Sequence, residues 1–292
     1  MITANDNFLC ELTFQPPYDW NALLRFLDSH ATAGVEMVSN GVYYRTVVLG
    51  GAHGWIGVRP SEDSAALRVE ASPTLAPIRS ELMLDLRRQF DLDAEPDVIA
   101  KALGALAAPR PGLRIPGGFE PFELAARAIL GQQISVRAAT TVAGRFAAAY
   151  GAAAETPIPG LTHNFPSAEK VASLSVDQVA SLGIIASRTR TILGLARAVS
   201  EGAISLAYGA DPLETMARMR ELPGIGEWTA QYVAMRALGW RDAFPHTDLV
   251  LCKALGEKNP KRVLALAERW RPWRSYAALH LWAEFHSSQE TP

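Results

Sequence analysis

Cysteine is nearly absent from this chain: among 292 residues only Cys10 and Cys252 carry thiols. Two thiols so far apart fit a reducing compartment better than a disulfide framework. They cannot supply the ligands of an iron–sulfur cluster or a cysteine-based zinc site. The six histidines add no metal-binding spacing; His280 and His286 lie six apart, off the i,i+4 face of one helix, and read as packing or surface residues. No apolar run reaches the roughly 18 residues of a membrane span. The opening Met1–Asp6 lacks the charged and apolar regions of a secretory leader, so a cytoplasmic location away from membranes is expected. Lysine is scarce as well, with none between Lys170 and Lys253. That stretch therefore offers no side-chain amine as a nucleophile.

Hydrophobic residues make up 49% of the chain and charged residues 20%, the balance of an ordinary globular protein long enough for two or three cores. The net charge of -2 conceals an asymmetry. Residues 1–100 hold seven Lys/Arg against fourteen Asp/Glu, whereas residues 101–292 hold twenty-one against sixteen. The amino-terminal part is thus a poor surface for a polyanion, and the mildly basic remainder suits transient rather than tight, salt-sensitive binding.

Periodicity divides the chain in the same place. Apolar alternation predicts strands at Phe8–Phe14, Val35–Val38, Val42–Leu49, Trp55–Val58 and Ala66–Ala71, with a helix from Asp19 to His30 capped by Asp19 and a second from Thr74 to Phe90. This is an α+β unit with a small antiparallel sheet over residues 1–95. From residue 96 to 292 the pattern is all-α. Helices are expected at Pro96–Leu106, Pro121–Gln132, Val136–Tyr150, Ser167–Leu174, Val176–Leu182, Ser187–Glu201, Asp211–Arg220, Glu227–Leu238, Leu249–Leu255, Pro260–Trp270 and Trp273–His286. Pro/Gly-rich breaks fall at 108–118 and 157–166.

The chemistry concentrates around Leu222-Pro223-Gly224-Ile225-Gly226, a tight hairpin between two of these helices. Proline presets one φ, while the glycines admit positive φ and present no Cβ to a ligand. Their amides and those of the next helix's first turn can therefore face a phosphate oxygen. Such a grip holds a nucleic-acid backbone without reading bases. The plain alternative is a helix connection with a glycine C-cap. Twenty-two residues beyond Gly226 stands Asp248, at the start of another helix, where it can cap free amides, serve as a catalytic carboxylate, or both. Residues 228–285 hold nine of the chain's 24 aromatics, most of them expected in the core, and Trp228 and Tyr232 share one helix face.

The string Leu222 to Tyr232 resembles the helix-hairpin-helix of the base-excision DNA glycosylases, in which an aspartate follows at this spacing. The strings Gln15-Pro16-Pro17-Tyr18-Asp19-Trp20, Ala128-Ile129-Leu130-Gly131-Gln132 and Arg269-Trp270-Arg271-Pro272-Trp273-Arg274-Ser275-Tyr276 narrow the resemblance to the 3-methyladenine DNA glycosylase II (AlkA) branch, across essentially the whole chain. The resemblance implies a two-lobed helical part, with one lobe at about 121–241 and the other at about 96–120 plus 242–292. It implies that Asp248 is catalytic, stabilising an oxocarbenium-like sugar and orienting water. A base pocket of Trp228, Tyr232 and Trp282 would attract cationic alkylated purines, with Gln132 and Leu249 beside it. Leu249 stands where the branch has tyrosine. Gln133 occupies the position of a leucine that fills the gap left by a flipped nucleotide. Pro223, Gly224, Ile225, Gly226 and Thr229 would meet DNA.

Trp228 stands where glycosylases that also cut the backbone carry a Schiff-base lysine, which implies a monofunctional enzyme. The expected partner is double-stranded DNA containing alkylated bases, bound by a monomer. No cofactor is expected, though the family hairpin can hold a monovalent cation through backbone carbonyls, here those of Arg220, Leu222 and Ile225. A bifunctional glycosylase/lyase and a non-catalytic helix-hairpin-helix DNA-binding module are the alternatives.

Overall fold

The computed structural model of the chain describes residues 7–290; Met1–Asp6 and the His286 side chain lie outside what is described. Strands β1 (Phe8–Thr13), β2 (Glu36–Ser39), β3 (Val42–Leu49), β4 (Ala52–Pro60) and β5 (Ala66–Ala71) form one antiparallel sheet in the order β1-β5-β4-β3-β2. Two-residue turns set its register: Asn40-Gly41 joins the pair Ser39 and Val42, and Gly50-Gly51 joins Leu49 and Ala52, all four turn residues having positive φ. Helix α1 (Trp20–Ser29) starts where the Asp19 carboxylate accepts the Ala22 amide at 2.8 Å, and it buries Trp20, Leu23 and Leu27 against the sheet.

The continuous helix expected from Thr74 to Phe90 is instead a 3₁₀ segment, Pro73–Ile78, followed by α2 (Arg79–Gln89). Pro77 inside the run has no amide to donate and disfavours α geometry before it.

The remainder is helical: α3 (Pro96–Leu103), α4 (Pro121–Leu130), α5 (Val136–Tyr150), α6 (Ala168–Ala172), α7 (Val176–Ala180), α8 (Ala186–Ser200), α9 (Pro212–Glu221), α10 (Glu227–Arg236), α11 (Leu249–Ala254), α12 (Pro260–Ala267) and α13 (Arg274–Glu290). Its buried side chains form two cores. One gathers α4 to α8, and the other gathers α3, α11, α12 and α13. Helix α10 is the wall between them, giving Val233, with Ala237 at its C-cap, to the first and Ala230 and Ala234 to the second. A helix apolar on two sides is held from two sides. The hairpin at its amino-terminal end thereby acquires a fixed position between the two cores.

The Pro/Gly-rich stretch 108–118 is an ordered strap. Arg114 donates to the carbonyls of Gln15 and Pro17 at 2.7 and 2.8 Å, and the Gly117 and Gly118 amides reach Gln89 O and Arg236 O at 2.9 and 3.0 Å. A buried ion network crosses the same junction. Arg45 of β3 pairs with Glu123 of α4 at 2.8 Å, while Arg127 of α4 bridges Glu123 at 2.9 Å and Glu36 of β2 at 2.5 Å. Tyr43 donates to Glu36 as well. Glu120 caps α4 by accepting the Phe122 and Glu123 amides; burial pushes its carboxyl up to about 7 against the pull of those amides.

Candidate active site

Asp248 is the N-cap of α11. Its Oδ1 accepts the amides of Val250 at 2.8 Å and Leu251 at 3.0 Å, which satisfies two donors that the helix start leaves open. The same carboxylate receives two indole N–H groups: Trp228 Nε1 donates to Oδ2 at 2.7 Å, and Trp282 Nε1 donates to Oδ1 at 3.2 Å. Capping and site thus coincide in one side chain. Four donors from α10, α11 and α13 fix its orientation, and charge-assisted bonds of this kind are the stronger sort. Trp228 stacks on Tyr232 with centroids 4.9 Å apart and planes 13° off parallel. Arg236 extends the stack, its guanidinium 5.1 Å from the Tyr232 ring centroid and bonded to the tyrosine hydroxyl. All three aromatics expected in the pocket therefore gather at or next to Asp248, each of them partly exposed.

Asp242, the other carboxylate between Glu227 and Glu257, is engaged elsewhere. Arg274 grips it at both oxygens, at 2.7 and 2.9 Å, and Arg271 adds a third contact at 2.7 Å. This cluster anchors the loop leading to Asp248. A second anchor, Gln231, was missed from the sequence: its Oε1 accepts the Phe244 amide at 3.0 Å while its Nε2 donates to Glu227 at 2.9 Å. A polar residue in the middle of a helix that is apolar on two sides was the available signal.

The hairpin has the conformation its glycines allow. Gly224 has φ +92°, and a Cβ built on it would lie 2.1 Å from Thr191 Oγ1 of α8, so both the backbone and the packing require glycine there. Thr191 in turn donates to Pro223 O at 2.8 Å. Gly226 is different, since a Cβ there meets nothing within 4 Å. Among the described residues, the Gly224 and Gly226 amides have no backbone acceptor.

Of the expected DNA contacts, Ile225 needs correction, and Thr229 offers only its backbone amide. The Ile225 amide is spent on Leu222 O at 3.1 Å and its side chain is buried, and the Thr229 side chain is only 3% exposed, its hydroxyl accepting from Gln132. Neither side chain faces outward. Gln132 itself is tied to the hairpin: Nε2 donates to Gly224 O and Thr229 Oγ1, both at 3.0 Å, so its amide is committed to structure rather than to a base. Arg188 of α8 holds the Gln132 carbonyl. Gln133, at φ +57°, is exposed at the turn beyond α4, and Leu249 is 77% exposed beside Asp248.

Among the described residues no cluster of His, Cys, Asp or Glu could hold a metal ion, and no helix is long and apolar enough to cross a membrane. The carbonyls of Arg220 and Ile225 take no backbone amide, and that of Leu222 takes only one, which leaves hard oxygen donors within one hairpin.

Residues 126–272 match the model of the HhH-GPD superfamily base excision DNA repair proteins, and residues 9–120 match that of the AlkA N-terminal domain. The chain belongs to the HhH-GPD superfamily. It is 35% identical over 271 residues to DNA-3-methyladenine glycosylase 2 of Escherichia coli, covering 93% of this chain and 95% of that protein. A probable bifunctional transcriptional activator/DNA repair enzyme AlkA of Mycobacterium tuberculosis is 38% identical over 283 residues, 93% of this chain and 56% of that longer protein. In fold, this superfamily member is similar to the 3-methyladenine DNA-glycosylase of Archaeoglobus fulgidus, with a TM-score of 0.81 at 20% identity over 97% of this chain and 100% of that one.

Proposed function

We propose that this chain is a monofunctional DNA glycosylase of base excision repair that hydrolyses the N-glycosidic bond of alkylated bases, chiefly 3-methyladenine and 7-methylguanine, in double-stranded DNA. The observation that carries the reading is Asp248, a carboxylate fixed by four donors and flanked by two indoles, in a chain whose Escherichia coli relative is a DNA-3-methyladenine glycosylase.

The chemistry follows from charge. N-alkylation leaves the purine cationic, so when the C1′–N bond breaks its electron pair returns to the ring and a neutral base departs. Positive charge develops on the sugar instead. A preorganised anion at Asp248 stabilises that state, and its oxygen accepts the proton of the water that adds to C1′, leaving an abasic site. Only Trp228 occupies Oδ2, so this oxygen keeps lone pairs for the water and the sugar. The faces of Trp228, Tyr232 and Trp282 supply cation–π attraction to the flipped base. Gln133 fills the gap that the base leaves, and the amides of Gly224, Gly226 and the first turn of α10 grip the backbone. A monovalent cation on the carbonyls of Arg220, Leu222 and Ile225 would add positive charge beside that phosphate and take no part in the reaction.

No lysine stands at the hairpin: Trp228 occupies the place, and Lys253 is exposed on α11. Water is therefore the nucleophile. The enzyme works as a monomer in the cytoplasm. The deciding experiment is base release from methylated duplex by the wild type and by Asp248→Asn, with borohydride trapping in parallel. Release that depends on Asp248 without a trapped adduct is expected, whereas a covalent adduct would establish a lyase and an absence of release would leave a DNA-binding module.

A further inference from the structure

Helix α8 is not part of the hairpin, yet its first two turns lie between the two elements that the proposed function brings to DNA. On one side Arg188 holds the Gln132 carbonyl, beside the Gln133 turn. On the other, Thr191 donates to Pro223 O of the hairpin at 2.8 Å and packs against Gly224. A groove of about 340 Å³ runs along this second contact, with Ser187, Arg190 and Thr191 on the helical wall and Pro223 and Gly224 on the other. Its lining contains no carboxylate.

Arg190 is exposed at the groove, and its guanidinium makes no hydrogen bond or ion pair among the described residues. The positions three and four away on its own helix are Ser187, Ala186, Leu193 and Gly194, so α8 offers it no acidic partner. Other arginines nearby are engaged: Arg188 with Gln132, and Arg220 with Glu227 at 2.7 Å. An unneutralised cation left beside a backbone-binding hairpin, near the amino-terminal and therefore electropositive end of a 15-residue helix, is complementary to an anion.

We infer that this groove is a second phosphate subsite, in which Arg190, with the Ser187 hydroxyl, takes a DNA backbone phosphate adjoining the one gripped by the hairpin. The inference rests on the glycosylase reading, because it takes the hairpin and the Gln133 turn to meet one duplex. A contact of this kind adds affinity independent of sequence and of lesion, and it acts on the register of the duplex rather than on the bond that breaks. Arginine can engage two phosphate oxygens at once.

The test is the salt dependence of binding to lesion-free duplex. Removing one phosphate contact lowers the slope of log affinity against log salt by about 0.9, so between 50 and 200 mM salt Arg190→Gln should lose roughly 3.5-fold less affinity than the wild type. Arg190→Lys should keep the wild-type slope, and Ser187→Asp should weaken binding to all duplexes alike. A slope for Arg190→Gln equal to that of the wild type, or unweakened binding by Ser187→Asp, would overturn the subsite. Failure of the glycosylase reading looks different, because the wild type itself would then release no methylated base.

Discussion

Asp248→Asn is the natural test of the carboxylate proposed as catalytic, and its bonding partners mean that the change perturbs two things at once. All four partners of Asp248 are donors: the amides of Val250 and Leu251 and the indoles of Trp228 and Trp282. Asparagine can keep an oxygen at the Oδ1 position, which preserves the cap and the Trp282 bond. Its NH₂ group then faces Trp228 Nε1–H, donor against donor, in place of a 2.7 Å bond. Turning the amide over is worse, because the NH₂ would meet two backbone amides. One lost charge-assisted bond with an opposed, partly buried donor should cost about 1–3 kcal/mol of stability. Catalysis loses the charge itself, about 2–4 kcal/mol of barrier lowering, or roughly 30- to 1,000-fold in rate. The double variant Asp248→Asn/Trp228→Phe separates the two effects: phenylalanine removes the opposed donor and still stacks on Tyr232. Urea unfolding of the double variant should recover much of the stability deficit, while single-turnover release of 3-methyladenine stays as low as in Asp248→Asn. Excision restored to within threefold of Trp228→Phe alone would refute the electrostatic role, because the loss would then have come from the donor clash.

The two hairpin glycines should part company. Gly226→Asp, where a Cβ has open space, should leave unfolding unchanged and weaken binding to every duplex alike without altering lesion preference; Gly224→Ala, forced onto Thr191 at positive φ, should destabilise the fold by about 1–3 kcal/mol in urea titrations. Trp282→Phe and Trp228→Ala should slow removal of cationic 3-methyladenine more than of neutral hypoxanthine, by a rate ratio reflecting about 0.5–2 kcal/mol of cation–π attraction, and equal losses would mean that the rings only pack. Acid should destabilise the protein through His30 and His280, both held down to about 4 by burial, with Arg236 adding to the effect at His30. Each protonates in the unfolded chain near 6.5, so stability is complete above that pH and falls as pH drops through 4. His280→Met should therefore lose about 2 kcal/mol less than the wild type between pH 7 and pH 4.5 in urea unfolding.

Elements with a strong period were legible in the sequence. Val136–Tyr150 and Val42–Leu49 have the bounds that their patterns predict, and Asp19 and Asp248 both cap as their positions suggest. What escaped was set by distant partners. The strand expected at Trp55–Val58 starts earlier, at Ala52, and takes in Gly54, where a side chain would strike Ser72 Oγ across the sheet. The strap at 108–118 has no period at all, since the Gly117 and Gly118 amides and Arg114 are held by Gln89, Arg236, Gln15 and Pro17, far away in sequence. The aromatics around Asp248 could be expected from spacing and resemblance. Their bonding to the carboxylate could not, because the indoles come from positions 20 before it and 34 after it.

The acidic amino-terminal region acquires a reason from the same geometry. Part of its surplus is Glu36, which with Glu123 surrounds Arg127, and β3 returns Arg45 to Glu123, so the sheet and α4 exchange charges in both directions. Buried networks of this kind add little net stability, since desolvation consumes most of the Coulombic gain, but removing one partner strands the others at a cost of several kcal/mol. They therefore fix position more than they add strength. The helix so fixed is α4, whose end leads directly into Gln132 and the exposed Gln133, and Gln132 is bonded to the hairpin. The sheet thus sets, through α4, where Gln133 stands relative to the hairpin, the two elements proposed above to meet DNA.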